Sequence, residues 1–254
     1  MTESSRDISL ASVLNVRDLG GLTTGAGRTI RNHRLLRGAA PDRISSEDLA
    51  LLTSHFGLSA FLDLRAANRT NIDEDSVLGA SNIKRVNTPI GEDDHPSSPI
   101  VRLAAALPFD LTAQALHYLE DQETISEAMR LIGDESEGAV YVHCTQGKDR
   151  TGVIIGLVLS AIGVGADEIA SDYAESDRHV EAITQHLKAI SDQYRKLAED
   201  TEPRIFKTWM EAPQSNMYEV LKAIEKEHGS ARDYLLNLPN GLQIVENLER
   251  KLLS

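Results

Sequence analysis

The segment from Gly138 to Ile162 constrains the fold more than any other part of this 254-residue sequence. Residues Gly138–His143 form a short apolar run that is typical of a buried strand. Residues Thr151–Ile162 are apolar on nearly every side, which predicts a helix that is covered by core in all directions. A strand, a tight connection and a buried helix in immediate succession make a βα unit. The segment therefore predicts an α/β fold.

Weaker patterns elsewhere in the chain agree with that class. A glycine-rich turn between apolar residues at 19–30 predicts an N-terminal hairpin. The run Ser45–Asp48 is a helix start, and Gly57 is a natural helix end. Apolar spacing predicts the remaining elements: strands at Ala60–Leu64 and Asn82–Ile90, helices near 112–121 and 123–132, an exposed acidic loop at Gly91–Pro99, and C-terminal helices within 216–253 that are separated at Gly229 and at Pro239–Gly241.

Apolar residues recur at alternating steps of three and four from Val180 to Leu197, which predicts one amphipathic helix. That helix is either an ordinary surface helix docked by its apolar stripe or part of a lid that moves over a site. No repeat or long linker marks an internal boundary. We therefore expect a single domain over residues 1–254, with a central, mostly parallel sheet flanked by helices and a C-terminal helical lid region at about 167–215.

The charge balance limits the partners of such a domain. The net formal charge is −13, which argues against a nucleic-acid-binding surface, so that any anionic ligand must be held by a local site. The most apolar run, Val153–Gly165, is shorter than the ~20 residues that cross a bilayer, so stable membrane insertion is not expected. The eight histidines show no metal-ligand spacing, and no metal or cofactor is expected. The composition does not predict an oligomeric state.

The chain holds one cysteine, Cys144, so it cannot form an intramolecular disulfide, and a cytoplasmic location is expected. Its N-terminus lacks the order of a secretory signal, which argues only against export by that route.

Cys144 ends the strand of the βα unit, and Arg150 opens its helix. The backbone N–H groups of the intervening loop can surround an oxyanion at a helix N-terminus. Gly147 permits the tight turn, and the arginine fork suits a tetrahedral anion.

The loop surroundings should ionise the thiol, because amide groups, a helix dipole and a guanidinium all favour the thiolate.

The string His143–Gly152 resembles the signature HCxxGxxR of the cysteine-dependent phosphatases. In the form HCxxGKDRTG it is similar to the bacterial tyrosine-phosphatase-like family that includes the mycobacterial protein tyrosine phosphatase B. Further segments resemble family positions: Asn15–Gly21, Leu35–Gly38, Asp63–Arg65, Asp172–Ser176 and the region from Met217 to Leu235.

This resemblance implies the cysteine-phosphatase fold and the hydrolysis of phosphate monoesters through a cysteinyl-phosphate intermediate. It implies Cys144 as nucleophile, Arg150 as phosphate clamp, and phosphate binding by the loop residues Thr145, Gln146, Gly147, Lys148 and Arg150. His143 would tune the thiolate and Thr151 would bind the sulfur as it leaves. Lys148 would place a charge at the mouth of the loop. Asp63 and Arg65 end a strand beside the loop, where they either contact ligand or form a structural ion pair.

The general acid has two sets of candidates. The resemblance favours Asp149 inside the loop, whereas Asp93 or Asp94 on the acidic segment could swing over the leaving group. The expected substrate is a phosphorylated protein, as for a tyrosine or dual-specificity phosphatase. The alternative is a small-molecule or lipid phosphate such as a nucleotide, a sugar phosphate or a phosphoinositide, and the fold alone does not decide between them.

Overall fold

The structure is a computed structural model that describes residues 6–67, 73–91, 109–134 and 138–254. Its centre is a five-stranded sheet. The strands in chain order are β1 (Arg17–Asp18), β2 (Leu35–Gly38), β3 (Leu58–Asp63), β4 (Lys84–Asn87) and β5 (Ala139–His143). Their spatial order is β1-β2-β5-β3-β4, and only the short edge strand β1 runs antiparallel to its neighbour. The predicted α/β class with a mostly parallel sheet is confirmed.

Helices cover the sheet and continue to the C-terminus. The first three helices each begin after a Ser or Asp side chain that accepts a backbone N–H of the first turn. The helices are α1 (Ser46–Ser54), α2 (Leu111–Glu120), α3 (Gln122–Gly133), α4 (Asp149–Ala161), α5 (Ala166–Ala174), α6 (Val180–Ile190), α7 (Asp192–Asp200), α8 (Pro203–Met210), α9 (Gln214–His228), α10 (Ala231–Leu236) and α11 (Gly241–Leu252), with a short 3-10 helix at Glu175–His179.

Side chains of the central strands alternate between two separate cores. Val140 and Val142 of β5 face the larger core, which holds the buried side of α4 and the C-terminal helices. Tyr141 faces the smaller core with Phe61 and the buried leucines of α1. Because both faces of β3 and β5 are covered, these strands read as continuous apolar runs, as expected for the centre of a parallel sheet. Helix α4 lies in the larger core and is buried along almost its whole length, as predicted.

The N-terminal hairpin is present as a set of backbone pairs. Ile30 N–H donates to Leu22 O over 2.8 Å, and Gly21 N–H donates to Ile30 O over 2.9 Å. Thr23 and Thr29 form a single bridge rather than extended strands, and the neighbouring residues Thr24 and Ile30 bridge outward to Val164 and Leu253. The hairpin therefore closes the N-terminal region against the end of α4.

The apolar seam from Val180 to Leu197 does not lie on one helix, and this prediction is wrong. Ser191 adopts extended backbone angles and ends α6, and its hydroxyl accepts the N–H of Tyr194 as the N-cap of α7. The local preference of serine for a cap outweighs the periodic pattern. The buried residues of this region, Ile183, Leu187 and Met210, form a third, small cluster of their own.

Within the described ranges, no helix has both the length and the apolarity that a membrane crossing requires. The predicted acidic loop at Gly91–Pro99 falls, after Gly91, outside the described residues.

Candidate active site

The loop from Cys144 to Arg150, called the phosphate loop below, connects β5 to α4 at the carboxyl edge of the sheet. In the sheet register, His143 lies between Gly38 of β2 and Asp63 of β3, so all three strands end in one row. Helix α4 begins at Asp149 without a side-chain cap, so its first-turn N–H groups lie beside the loop. The chain order thus places a thiol, a helix N-terminus and an arginine around one point, where an oxyanion can bind.

Protein donors occupy the carbonyl groups of the phosphate loop. Thr145 O accepts the N–H of Ala40 over 3.1 Å, and Gln146 O accepts Asn15 Nδ2 over 2.9 Å. Gly147 O accepts Arg37 Nη2 over 2.8 Å. In a planar trans peptide the N–H points opposite to the C=O. The amide groups that follow these carbonyls therefore face the other side of the loop, where an anion would lie.

Gly147 is required at its position for two reasons. Its φ of +68° lies in the left-handed region, and a Cβ atom there would lie 2.1 Å from the carbonyl oxygen of Gly38. Any side chain would push the loop away from β2 and break the tight turn.

The thiol of Cys144 is buried, with 4% of its surface exposed. Burial by itself raises the pKa of Cys144, but the positive charge of Arg150 and donors from Thr151 outweigh burial and lower the pKa below its ordinary value. The Thr151 hydroxyl is buried and has no other hydrogen-bond partner in the described structure, so it is available to the sulfur. The surroundings therefore favour a thiolate nucleophile.

His143 lies behind the thiol rather than beside the loop mouth. Its Nδ1 is 3.3 Å from the carbonyl oxygen of Cys144 and 3.8 Å from Asp63 Oδ1. Burial lowers the pKa of His143, and although the charge of Asp63 opposes that effect, the net direction is downward. A neutral imidazole in this place fixes the end of β5.

Arg65 forms ion pairs with two carboxylates. It donates to Asp42 over 2.6 and 2.8 Å and to Asp63 over distances from 2.7 to 3.1 Å. Of the two readings left open by the sequence, this geometry favours the structural ion pair. Leu64, between the two residues of this pair, presents its carbonyl to Arg150 Nη1 over 3.4 Å. The end of β3 thus contacts the clamp through its backbone.

Asp149 and Lys148 are linked to each other. Lys148 Nζ lies 3.2 Å from Asp149 Oδ1, and the hydroxyl of Tyr173 donates to the same carboxyl oxygen over 3.2 Å. The side chain of Asp149 is 25% exposed, in contrast to the buried Lys148.

The placement of Lys148 differs from the expectation of a charge at the loop mouth. The residue is only 2% exposed, and its ammonium donates to the carbonyl oxygens of Trp209 over 2.6 Å and of Glu211 over 3.1 Å. It also lies over the ring of Phe109 at 5.0 Å. Two backbone acceptors and a carboxylate draw the ammonium inward, because a buried charge needs such partners. The lysine side chain ties the phosphate loop to the end of α8.

A cleft of about 520 Å³ opens beside the phosphate loop. Thr145 contributes to it from the loop, and Gln146, the next residue, contacts Met210 Sδ of α8 over 3.7 Å. One wall is apolar and comes from α6, with Ile183 and Leu187. The remaining lining is mostly polar or charged: Ser12, Asp42, Arg43, Arg65, Asp73, Ser76 and His186, besides the apolar Val13, Leu14, Ala39, Ala40 and Ile190.

Asp93 and Asp94, the alternative candidates for the acid, lie outside the described residues. The structure also brings four buried polar residues to the phosphate loop that are not among the predicted site residues. Asn15, Arg17, Arg37 and Asp172 are each 1% exposed and lie behind the phosphate loop. They lie in segments that resemble family positions. The sequence feature that could have identified them is a charged residue inside an otherwise apolar stretch, such as Arg37 in β2.

A family model described as "Tyrosine phosphatase family" matches residues 8–254 of this chain. The chain is 29% identical over 239 residues to a provisionally named tyrosine-protein phosphatase of Cupriavidus necator, which covers 92% of this chain and 84% of that protein. It is 39% identical over 54 residues to the triple specificity protein phosphatase PtpB of Mycobacterium tuberculosis, which covers 21% of this chain and 20% of that protein.

Among solved structures, the chain is similar to the core catalytic domain of the PP-IP phosphatase SIW14 from S. cerevisiae. The sequence identity is 14%, the TM-score is 0.40, and the match covers 78% of this chain and 92% of that chain.

Proposed function

Since this chain belongs to the tyrosine phosphatase family, we propose that it hydrolyses phosphate monoesters through a cysteinyl-phosphate intermediate on Cys144. The observation that carries this proposal is the buried thiol at the start of the phosphate loop, whose pKa is lowered chiefly by Arg150 and Thr151 against the effect of burial. A thiolate held beside a helix N-terminus and a guanidinium is the arrangement that nucleophilic attack on a phosphate dianion needs.

The reaction has two steps. In the first, Cys144 Sγ forms a bond to phosphorus, and the bond from phosphorus to the ester oxygen breaks. The leaving oxygen takes a proton from Asp149. In the second, a water molecule gives a proton back to Asp149 and attacks phosphorus, and the thiolate leaves as the Thr151 hydroxyl donates to it. Phosphate, the alcohol and the free enzyme result.

The loop and its arginine bind the phosphoryl oxygens throughout. Backbone N–H groups of Thr145, Gln146, Gly147 and Lys148 supply donors, and Arg150 supplies two parallel N–H groups. His143 supports the loop through the carbonyl oxygen of Cys144, and Asp63 and Arg65 are assigned to their structural ion pair rather than to phosphate binding. Preorganised donors of this kind stabilise the charge that builds up in the transition state.

The cleft favours a substrate with an apolar or aromatic leaving group. Ile183 and Leu187 form a wall next to Thr145 that can cover the ring of a phosphotyrosine side chain. One relative is named a triple specificity protein phosphatase, and this name also supports a protein substrate. We therefore propose a tyrosine or dual-specificity protein phosphatase.

The alternative, a small-molecule or lipid phosphate, draws support from a different part of the cleft. Arg43 and His186 line it, and a second phosphate group on a nucleotide, sugar or phosphoinositide could contact them. The ammonium of Lys148 does not supply that charge, since its donors are used by Trp209 and Glu211. Arg43→Gln should therefore raise the KM for a bisphosphorylated small molecule while leaving the KM for a phosphotyrosine peptide unchanged.

The mechanism is tested by the hydrolysis of an aryl phosphate in the presence of a chelator. Wild-type protein should turn over, and Cys144→Ser should keep its circular-dichroism spectrum while losing turnover by at least about 10³-fold. Full activity in Cys144→Ser, or loss of wild-type activity on chelation, would contradict the proposed mechanism. Rates on phosphotyrosine peptides, phosphoinositides and nucleoside monophosphates then decide the substrate class.

A further inference from the structure

The polar residues behind the phosphate loop form one connected network. Asp172 of α5 accepts Arg37 Nη1 over 2.7 Å on one carboxyl oxygen and Arg17 Nε over 3.0 Å on the other. Arg17 Nη2 also donates to the backbone carbonyl of Asp172 over 2.7 Å. Two buried arginines thus share a single buried carboxylate.

Each arginine leads from that carboxylate to a loop carbonyl. Arg37 donates through its second nitrogen to Gly147 O over 2.8 Å. Arg17 Nη1 donates to Asn15 Oδ1 over 2.7 Å, and Asn15 Nδ2 donates onward to Gln146 O over 2.9 Å. Asn15 has a φ of +59°, a left-handed conformation that asparagine tolerates better than most residues. Both routes end on the carbonyls whose opposite N–H groups face the anion site.

The charges of this network do not cancel. Arg17 and Arg37 carry two positive charges against the one negative charge of Asp172, and Arg6, which is 18% exposed, adds a third cation at 3.1 Å from the same carboxylate. Burial and the neighbouring Arg17 lower the pKa of Arg37 to about 10, so Arg37 remains a cation at neutral pH. Excess positive charge in a low-dielectric region acts over a longer range than it would in water.

We infer that Arg37, Arg17 and Asn15 are positioning residues, which act through the loop backbone to aim its N–H groups, and that the uncompensated charge of the two arginines stabilises the Cys144 thiolate. The inference rests on the proposed function of that thiolate. It assigns the polar residues of the Asn15–Asp18 turn and of β2 to the chemistry of the loop rather than to the packing of the core.

Several titratable or charged groups interact electrostatically with Cys144 besides Arg37, and the test must separate them. Arg150 and Asp149 belong to α4, and Tyr141 and His143 belong to its own strand. None of them is changed in the variants proposed below. Because Cys144 is the only cysteine of the chain, alkylation of the protein by iodoacetamide reports on this one thiol.

The experiment measures the rate of alkylation against pH and the concentration of inorganic phosphate that halves this rate. Arg37→Gln removes one charge, so the pH midpoint of alkylation should rise by about one unit. Arg37→Lys keeps the charge, and its midpoint should stay within about 0.3 units of wild type. Asn15→Gly removes a donor but no charge, so its midpoint should not move, whereas half-protection should need about tenfold more phosphate.

Arg232→Gln is the matched control, since Arg232 pairs with Glu249 away from the loop, and neither quantity should change in it. An unchanged midpoint in a folded Arg37→Gln protein overturns the charge part of the inference. Unchanged phosphate protection in Asn15→Gly overturns the positioning part. If Arg37→Gln does not fold, Arg37→Lys provides the test. Because this variant keeps the charge, a rise of about one unit in its pH midpoint of alkylation contradicts the inference. These readouts need no turnover, so they are independent of a failure of the proposed reaction.

Discussion

The phosphate loop and α6 line the same cleft, but the loop and the α6–α8 region are held in different ways. The loop is supported by the larger core through α4 and by buried ion pairs centred on Asp172. The α6–α8 region buries the small cluster of Ile183, Leu187 and Met210. Its ion pairs lie at the surface, such as the one between Arg195 and Asp192, whose side chain is 91% exposed.

This difference corresponds to two requirements of a site of this kind. A group of N–H donors stabilises a transition state only if it does not have to reorganise, so the loop needs rigid support. A wall that covers a leaving group must allow substrate to enter, and regions with few buried apolar contacts open at a lower free energy. We therefore propose that α6 and α7 act as a lid over a fixed phosphate site, while Lys148 ties the end of α8 to the phosphate loop.

The largest expected effect comes from the buried carboxylate of the loop support. Asp172→Asn leaves two buried arginines without their counter-charge and should lower the free energy of unfolding by about 3–5 kcal/mol in urea denaturation. Asp192→Asn removes the carboxylate of the surface pair in α7 and should leave the unfolding curve unchanged. Equal effects of the two substitutions would remove the distinction between the regions.

The stabilisation by Asp172 should also depend on pH, in a direction that the pKa of this carboxyl determines. Burial alone would raise the pKa of Asp172, but Arg17 and Arg37 outweigh burial and hold the pKa well below its usual range. The unfolded chain therefore takes up a proton on this carboxyl first, so the stabilisation is complete above the ordinary Asp value of about 4 and falls progressively as the pH drops from there toward the lower pKa of the folded state. The stability difference between wild type and Asp172→Asn should narrow as the pH falls through that value. A difference that stays constant down to pH 2 contradicts the ion-pair origin.

The next effect concerns the general acid. If Asp149 protonates the leaving oxygen, Asp149→Asn should reduce kcat for alkyl phosphates by ~100-fold or more and for good aryl leaving groups by much less. Asp93→Asn and Asp94→Asn should leave both rates near wild type. The values are compared at saturating substrate, because a lost charge beside Arg150 also changes phosphate affinity. A leaving-group-dependent loss in the Asp93 or Asp94 variant would move the acid to the segment outside the described residues.

A pair of core substitutions compares the two regions without any change of charge. Leu157→Ala in α4 should lower the free energy of unfolding by about 3–5 kcal/mol, because the fully buried site cannot collapse. Leu187→Ala in α6, at 8% exposure beside the open cleft, should cost about 2 kcal/mol or less. It should also raise the KM for an aryl phosphate, which Leu157→Ala should not do. A larger loss in Leu187→Ala would place α6 within the rigid part of the molecule.

The smallest effect is expected in hydrogen exchange of the wild-type protein. Amides of α6 and α7 should exchange faster than those of α4 by at least about tenfold. Saturation with phosphate should slow exchange around the phosphate loop. Uniform protection across α4, α6 and α7 contradicts a lid that opens independently.

The sequence allowed the centre of the fold to be predicted because burial there follows a simple period. The strands around Ala60 and Val140 and the helix after Arg150 are apolar on both sides, and their bounds agree with β3, β5 and α4 within a few residues. The split at Ser191 was not predicted, since a single cap residue decides it. The periodic seam on either side continues in phase.

The chemistry of the loop itself was predictable from its neighbours in sequence, whereas its support was not. Cys144, Arg150 and Thr151 lie within eight residues of one another, so spacing alone indicates a common site. Asn15, Arg37 and Asp172 come from three distant segments and meet only through the strand order of the sheet. The inward position of Lys148 likewise depends on carbonyls 61 and 63 residues away along the chain.

The most direct measurement is a search for the phosphorylated intermediate. Wild-type protein mixed with an aryl phosphate is quenched in acid within its first turnovers, digested and analysed by mass spectrometry. A phosphoryl group should appear on the peptide that contains Cys144, should be absent in Cys144→Ser, and should accumulate in a variant whose second step is slowed, such as Thr151→Ala. Turnover by a protein in which no phosphoryl group ever reaches Cys144, or in which it is found on another residue, would contradict the central mechanism.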